Sequence, residues 1–334
     1  MPRLKLILNP QADRGHAAEA GPDLRAILAE EAEAASRQQG RDYELVWALT
    51  EEPCHATALA REAAEEGIDV VVAIGGDGTI HEVVNGLMAV EAARRPRLGV
   101  IPVGSGNDFA SNFGVPNDLR EAARCLLGDT SYPTDVGWIA DGTGRGEYWC
   151  NTVGVGFTGA VNIATRRLKR WRGFMSYFIG VLHTILFTPP SLEARITVGE
   201  DPAFERGITM VAICNGPREG GGFPVAPGAE MDDGLLDYVI MRRMGRLRIA
   251  RFLPVVMQAR HLRHTKHFEA GKIARLHITA DRTMAVHTDG EVFGPWEADI
   301  RELTIRVEPR AVEVMSNCPR HSEALSTPSG PNRV

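Results

Sequence analysis

Val70-Val71-Val72-Ala73-Ile74-Gly75-Gly76-Asp77-Gly78-Thr79 is the stretch on which the fold turns. Its first five residues are apolar without alternation, the pattern of a parallel strand covered on both faces. Glycines follow at once, and residues 80–88 carry the signals of a helix. Strand, turn and helix in that order put the turn at the carboxyl end of a parallel strand, where open α/β sheets bind ligands. Gly75, Gly76 and Gly78 let backbone N–H groups approach phosphate oxygens, and the helix N-terminus favours the negative charge. Asp77 would be repelled by bare phosphate and fits beside Mg²⁺ or a hydroxyl. The turn lacks the lysine and the spacing of a Walker A loop.

Outward from this turn the same rhythm continues. Residues 4–8, 43–48 and 98–102 read as strands, and 22–38 and 54–66 as helices, the latter stopped by Gly67. The expectation is an α/β unit with a parallel sheet over residues 1–133. A second loop follows the strand at 98–102: Val103-Gly104-Ser105-Gly106-Asn107-Asp108-Phe109-Ala110. It offers flexible backbone, a hydroxyl, an amide and a carboxylate beside the first turn; Ser105 or Asn107 could alternatively cap a helix. Beyond Tyr132 the signals become short β runs at 134–139, 148–153, 194–198, 209–215, 235–241, 272–280, 284–288 and 303–307. These predict a mainly antiparallel β-sandwich over 134–296, with one or two inserted helices. The Ser/Pro/Asn-rich end, 317–334, reads as a disordered tail.

Composition bounds the function. The chain has 334 residues, 44% apolar and 24% charged, with net charge −6. That balance fits a globular protein of about two domains and gives no basic excess for nucleic acid. Cys54, Cys125, Cys150, Cys214 and Cys318 are scattered and odd in number, which favours reduced thiols in a cytoplasmic protein. No apolar run reaches the length of a membrane-spanning helix. The basic run Arg166-Arg167-Leu168-Lys169-Arg170-Trp171-Arg172 precedes the apolar stretch 173–187, either as the solvated start of a buried helix or as a contact with an anionic membrane surface, with Trp171 and Phe174 guiding an acyl chain. Residues 242–275 hold ten Lys/Arg against Glu269 alone, a second interfacial face or an exposed charged helix.

Three patterns invite other readings. Gly154-Val155-Gly156-Phe157-Thr158-Gly159 is a literal GxGxxG, but no acidic residue follows at the distance a ribose contact needs, so a packing turn is expected. His261, His264 and His267 lack a completing ligand and read as surface histidines. Asp289-Gly290-Glu291 has the composition of a hairpin turn. It also places two carboxylates at a strand end, where one could take the proton of an alcohol.

Asn9-Pro10, the turn 75–79 with Glu82 and Asn85-Gly86, and Gly104-Ser105-Gly106-Asn107-Asp108-Phe109 together resemble the diacylglycerol kinase catalytic domain family, which includes bacterial soluble lipid kinases and is related to sphingosine and ceramide kinases. The resemblance continues through Asn151-Thr152-Val153-Gly154-Val155-Gly156-Phe157, Gly220-Gly221-Gly222-Phe223, the run 226–237 and Asp289-Gly290-Glu291, spanning about residues 4 to 310. The first motif is shared with NAD kinases; the ordered set is far more specific. The resemblance implies an NAD-kinase-like first domain, completed by about 297–316, and a β-sandwich for the lipid. It implies an ATP site lined by Asn9, Pro10, Gln11, Ala12, Asp13, Thr50, Gly76, Asp77, Gly78, Thr79, Ile80, His81, Glu82 and Ser105, to which the loop logic adds Gly75, Gly104, Asn107 and Asp108. Asp289 or Glu291 would be the general base, and Glu230, Asp233 and Leu235 would hold a structural Mg²⁺, the first and last through carbonyls. Ser105 stands where the family usually has threonine, and His287-Thr288 is unusually polar.

The expected function is transfer of the ATP γ-phosphoryl group to a lipid hydroxyl, diacylglycerol first, in phospholipid biosynthesis. A sphingosine-like lipid, phosphatidylglycerol, NAD or a non-catalytic nucleotide-binding role are the rivals. The lipid would be met peripherally at the inner face of the membrane, and a homodimer stays open.

Overall fold

The computed structural model describes residues 1–167, 173–188 and 191–318. Strands β1 (Arg3–Leu8), β2 (Glu44–Leu49), β3 (Val70–Gly75) and β4 (Arg97–Pro102) alternate with helices α1 (His16–Gln39), α2 (His55–Glu65) and α3 (Asp77–Met88). The strands pair in parallel in the order β2-β1-β3-β4, with Leu8 opposite Ile74 and Gly75 opposite Pro102. This register brings the turns after β1, β3 and β4 to one end of the sheet. Every residue of β3 is buried, as its unbroken apolar run requires. Leu24 and Leu28 of α1 are fully buried in the same core, each contributing about 1.5–3 kcal/mol of apolar burial.

After α4 (Asp108–Asn112) and α5 (Leu119–Leu126), the chain enters β5 (Ser131–Asp141), β6 (Gly146–Trp149) and β7 (Thr152–Gly156), then α6 (Phe157–Arg167) and α7 (Gly173–Phe187). There follow β8 (Leu192–Val198), β9 (Phe204–Cys214), β10 (Leu236–Arg242), α8 (Arg246–Met257), β11 (Phe268–Ile273), β12 (Arg275–Ala280), β13 (Val286–Thr288), β14 (Glu291–Gly294) and β15 (Glu302–Met315). These strands pair antiparallel along β14-β13-β7-β9-β8-β12-β15. One apolar cluster fills the space between their layers, and another lies where α6, α7 and α8 cover β9 and β10. The last strand, β15, pairs antiparallel with β12 and β5, then bridges in parallel to β4 at Val314 and Leu98. The result is a parallel α/β region continuous with a sandwich-like antiparallel one.

Several local expectations are corrected. The run 148–153 is not one strand: it breaks at Cys150-Asn151 because those backbone N–H groups bond a carboxylate rather than a neighbouring strand. The helix after the glycine turn begins at Asp77, so Gly78 and Thr79 belong to its first turn. The basic segment 242–275 is not one helix but α8 followed by a short 3-10 turn and two strands. His261 is buried, its Nε2 2.8 Å from the Val225 carbonyl, rather than on the surface. Cys125 and Cys318 form a disulfide between α5 and the segment after β15, contrary to the reduced-thiol reading. Of the expected tail, Asn317 and Cys318 are described; the rest of it, and the basic run at 168–172, lie outside the described residues.

The GxGxxG stretch is a packing turn, as expected. Gly159 lies where a Cβ would come within 2.2 Å of the Ala285 carbonyl oxygen, and Gly156 has φ +80°.

Candidate active site

Two loops meet backbone to backbone at the end of the parallel sheet. A Cβ on Gly104 would lie 2.3 Å from the Gly76 Cα, so only glycine permits the approach. Asn107 holds the second loop with reciprocal bonds: its Oδ1 accepts from Gly104 N at 3.0 Å, and its Nδ2 donates to Gly104 O at 2.9 Å. At the first loop, Asn9 Nδ2 donates to Thr79 Oγ1 at 3.0 Å, and Gln11 N donates to Asn9 Oδ1 at 2.9 Å. The turns after β1, β3 and β4 are thus one construction, ending at the N-terminus of α3. Uncapped N–H groups there suit an anion.

Asp77 is wired to the second loop. Its Oδ1 accepts from Phe109 N at 3.0 Å and its Oδ2 from Asp108 N at 3.2 Å. Asp108 is buried and accepts from Gly221 N at 2.7 Å. Burial, then the charge of Asp77, pushes the Asp108 carboxyl up to about 7. Asp77 is likewise raised by burial, against the backbone bonds it accepts. Two carboxylates in one buried place disfavour the ionisation of both.

Asp289 lies at the other wall, at φ +51° between β13 and β14. Its Oδ1 accepts from Asn151 N at 2.7 Å and Thr152 N at 3.0 Å; its Oδ2 accepts from Cys150 N at 2.9 Å and lies 3.0 Å from His81 Nδ1. Burial alone would raise its pKa, but the His81 bond and charge, with the backbone donors, hold it below the ordinary carboxylate value. For His81, burial opposes protonation, yet Asp289 and then Glu147 and Glu82 raise its pKa. Asp289 is therefore a saturated, ionised anchor. Glu291 is different: half exposed, paired with Arg166, and positioned so that a Cβ on Gly78 would lie 2.8 Å from its Oε1. It reaches over the glycine turn.

Asp77, Ser105, Gly106, Asp108, Asp289 and Gly290 line one cavity of about 360 Å³. Tyr177 and Glu219 line it too and also border an apolar pocket floored by residues such as Phe157, Val181, Met210, Phe223 and Phe252. A chamber lined by carboxylates, amides and hydroxyls thus adjoins an aliphatic and aromatic one.

Two family models divide the chain. The diacylglycerol kinase catalytic domain matches residues 3–139, and the YegS C-terminal NAD kinase beta sandwich-like domain matches residues 151–316. A protein of Chromohalobacter salexigens named as a YegS-like lipid kinase is 38% identical over 67% of this chain and 70% of its own length. The diacylglycerol kinase of Bacillus subtilis is 31% identical over 72% and 76%. The chain belongs to the diacylglycerol kinase catalytic domain family. A candidate diacylglycerol kinase solved from Bacillus anthracis str. Sterne superposes with a TM-score of 0.72 at 25% identity, covering 95% of this chain and 97% of that one.

Within this lipid kinase family chain, the expected nucleotide positions divide by task. Asn9, Gln11, Thr79, Gly104 and Asn107 build the loops. Gly76, Asp77, Ser105 and Asp108 are at the junction or the cavity. Ala12 is buried, and Asp13 sits at φ +44° in the turn before α1. Thr50 N donates to the Leu8 carbonyl at 3.0 Å. Three positions do other work, His81 through its bond to Asp289. Ile80 is in the apolar core, and Glu82 caps α2, accepting from Cys54 N at 3.0 Å and Ala56 N at 3.1 Å. Asn85 fastens α3 to β6 through the Tyr148 backbone at 2.8 and 2.9 Å, and Gly86 lets α3 touch α2, where a Cβ would lie 2.3 Å from Thr57 O.

The expected Mg²⁺ loop does not fit a metal as it stands. Asp233 Oδ1 accepts from Leu235 N at 3.0 Å and its Oδ2 pairs with the Lys272 ammonium, which also lies 3.8 Å from Asp237 Oδ2. The Lys272 ammonium thus already pairs with Asp233, the one residue of the three expected to bind through its side chain; Glu230 and Leu235 were expected to act through their carbonyls. No cluster of three acidic, His or Cys side chains suited to a metal occurs among the described residues. Glu219 was not singled out as site chemistry beforehand, and only the polarity of His287-Thr288 hinted at His287; His81, expected at the nucleotide, bonds Asp289 instead.

Proposed function

We propose that the protein transfers the γ-phosphoryl group of ATP to the hydroxyl of a lipid, with diacylglycerol giving phosphatidic acid as the first acceptor to test. The observation that carries this reading is the shared wall of the two chambers. Tyr177 and Glu219 border both the polar cavity, with its glycine turn and Asp77, and the apolar pocket under α7 and α8. Residues 1–133 with 297–316 would hold nucleotide, and 134–296 the lipid.

In this reading the backbone N–H groups of Gly76, Gly78 and the loop at Gly104 orient the phosphates. Mg²⁺ arriving with the nucleotide would offset phosphate charge, and the buried Asp77–Asp108 pair suits it. Glu291 takes the proton of the acceptor hydroxyl. The acceptor oxygen bonds to the γ-phosphorus as the bond to the β–γ bridging oxygen breaks, and ADP leaves. Asp289, whose lone pairs are engaged by backbone donors and His81, positions the β13–β14 turn that carries Glu291. Positioning and charge neutralisation supply most of the catalysis, since this chemistry demands little covalent participation.

The membrane contact belongs to α7 and α8. Leu186 and Phe187 at the end of α7, and Leu247 at the start of α8, are exposed by 63%, 71% and 90%. Arg246 Nη2 donates to the Thr188 carbonyl at 3.3 Å, joining the two helix ends, and Arg248 and Arg251 follow nearby in sequence. Apolar tips among arginines suit insertion at an anionic bilayer surface. No helix among the described residues is long and apolar enough to cross a membrane.

The test is a transfer assay with labelled ATP against diacylglycerol, sphingosine and NAD. Label in phosphatidic acid is the expected result. Label in NADP alone moves the protein to a soluble acceptor. Tight ATP binding without transfer to any acceptor supports a regulator.

A further inference from the structure

Glu219, His287 and Asn162 line the cavity with buried polar atoms that no other group engages. Glu219 is 3% exposed and His287 2%. Glu219 Oε1 accepts from the Tyr177 hydroxyl at 2.6 Å, but its Oε2 has no hydrogen-bond partner; neither ring nitrogen of His287 has one. His287 Nε2 and Glu219 Oε2 lie 3.7 Å apart, too far for a hydrogen bond and close enough for one oxygen to bridge them. Thr158 Oγ1 and Asn162 Oδ1 are also buried without partners. Native interiors leave few such groups, and each costs about 1–3 kcal/mol unless something fills it.

The site is held open by glycine. A Cβ on Gly154 would lie 2.2 Å from both His287 Nε2 and Thr158 Oγ1. The first glycine of the GxGxxG stretch therefore makes room for this imidazole rather than for a pyrophosphate. His287 is two residues from Asp289, and both line the same cavity as Asp77 and Glu219.

The chemistry of the orphan atoms selects the ligand. Glu219 Oε2 and Asn162 Oδ1 are acceptors and call for a donor. Burial lowers the pKa of His287, so its ring is neutral and offers one donor and one acceptor. An ester carbonyl offers no donor. A hydroxyl offers both: its O–H to Glu219 and its lone pair to His287.

We infer that the preferred acceptor lipid carries a second free hydroxyl beside the one that is phosphorylated, bound between Glu219 Oε2 and His287 Nε2. This rests on the lipid-kinase reading and sharpens it: an acceptor with vicinal hydroxyls fills the site, whereas diacylglycerol reaches it only with oxygens that cannot donate.

A matched pair tests it: 1-O-hexadecylglycerol and its 2-O-methyl ether, each in dioleoylphosphatidylcholine vesicles with labelled ATP. A site with buried polar atoms to satisfy rejects the analogue that cannot satisfy them, so kcat/KM should favour the diol by at least about tenfold. In Glu219→Gln the amide nitrogen can replace Oε2 as a donor, and the ratio should fall to near one or invert; His287→Asn should also lower it. A wild-type ratio within about twofold of one overturns the inference. So does a large ratio that both folded variants retain, or turnover of diacylglycerol with neither glycerol ether accepted. Transfer to no lipid at all would fell the lipid-kinase reading itself, and this inference with it.

Discussion

His81 on α3 and Asp289 in the β13–β14 turn are joined at 3.0 Å, Nδ1 to Oδ2, across 208 positions of sequence. Their side chains are 9% and 1% exposed. The pair fastens the helix that follows the phosphate turn to the carboxylate motif of the sandwich, and a backbone break at Cys150-Asn151 completes the grip.

The sign of its pH dependence follows from the two shifts. The raised pKa of His81 contributes stability that is complete below its ordinary value of about 6.5 and is lost as pH rises through the higher folded value. The depressed pKa of Asp289 contributes stability above the ordinary carboxylate value, lost as pH falls through the lower folded one. Thermal melts should show Tm falling as pH climbs above neutrality. His81→Asn should flatten that fall; an unchanged alkaline limb would show that another group titrates there.

Asp289 and Glu291 should separate by kind of defect. Glu291→Gln should keep its melting temperature and ATP affinity while turnover falls by about 10²–10⁴, the usual worth of a general base. Asp289→Asn leaves a buried His81 without its anion and should lose about 3–5 kcal/mol of stability, read by denaturant unfolding. If Glu291→Gln retains full turnover, the base lies elsewhere.

Lys272 should make the Asp233 loop indifferent to metal. Without nucleotide, EDTA and millimolar Mg²⁺ should leave the wild-type Tm unchanged. Lys272→Met should melt lower and regain Tm when Mg²⁺ is added. A wild-type protein that Mg²⁺ stabilises without nucleotide contradicts the assignment.

Leu247→Asp with Phe187→Asp should weaken activity on vesicles containing anionic lipid by about tenfold or more, given the apolar area removed. Turnover of a water-soluble short-chain acceptor should be unaffected. An equal loss on both acceptors would place the damage in folding rather than at the surface.

Much of this was legible in local pattern. The unbroken run Val70 to Ile74 announced a covered parallel strand, and the glycines after it announced a close backbone approach. The ordered motifs carried the family from Asn9 to Glu291. What could not be read was pairing across distance. No periodicity links His81 to Asp289, and a β run at 148–153 gave no sign that Cys150, Asn151 and Thr152 would turn their N–H groups to a carboxylate. Glu82 was placed at the nucleotide by motif order, whereas its carboxylate caps α2; spacing alone does not say which way a side chain points from the first turn of a helix. Cys125 and Cys318 are 193 positions apart and became a pair only because β15 returns to α5.

That return has a consequence for biosynthesis. β15 runs alongside β5 and β12 and then touches β4, so the early-made parallel sheet waits for residues 302–315 before its edge is covered. A ribosome that has finished the glycine turn, both loops and the first four strands has still not produced a closed nucleotide region. The nascent chain must hold the flank of β4 open through the synthesis of the whole sandwich, and a truncation before Glu302 would disable the first-made part of the molecule along with the last.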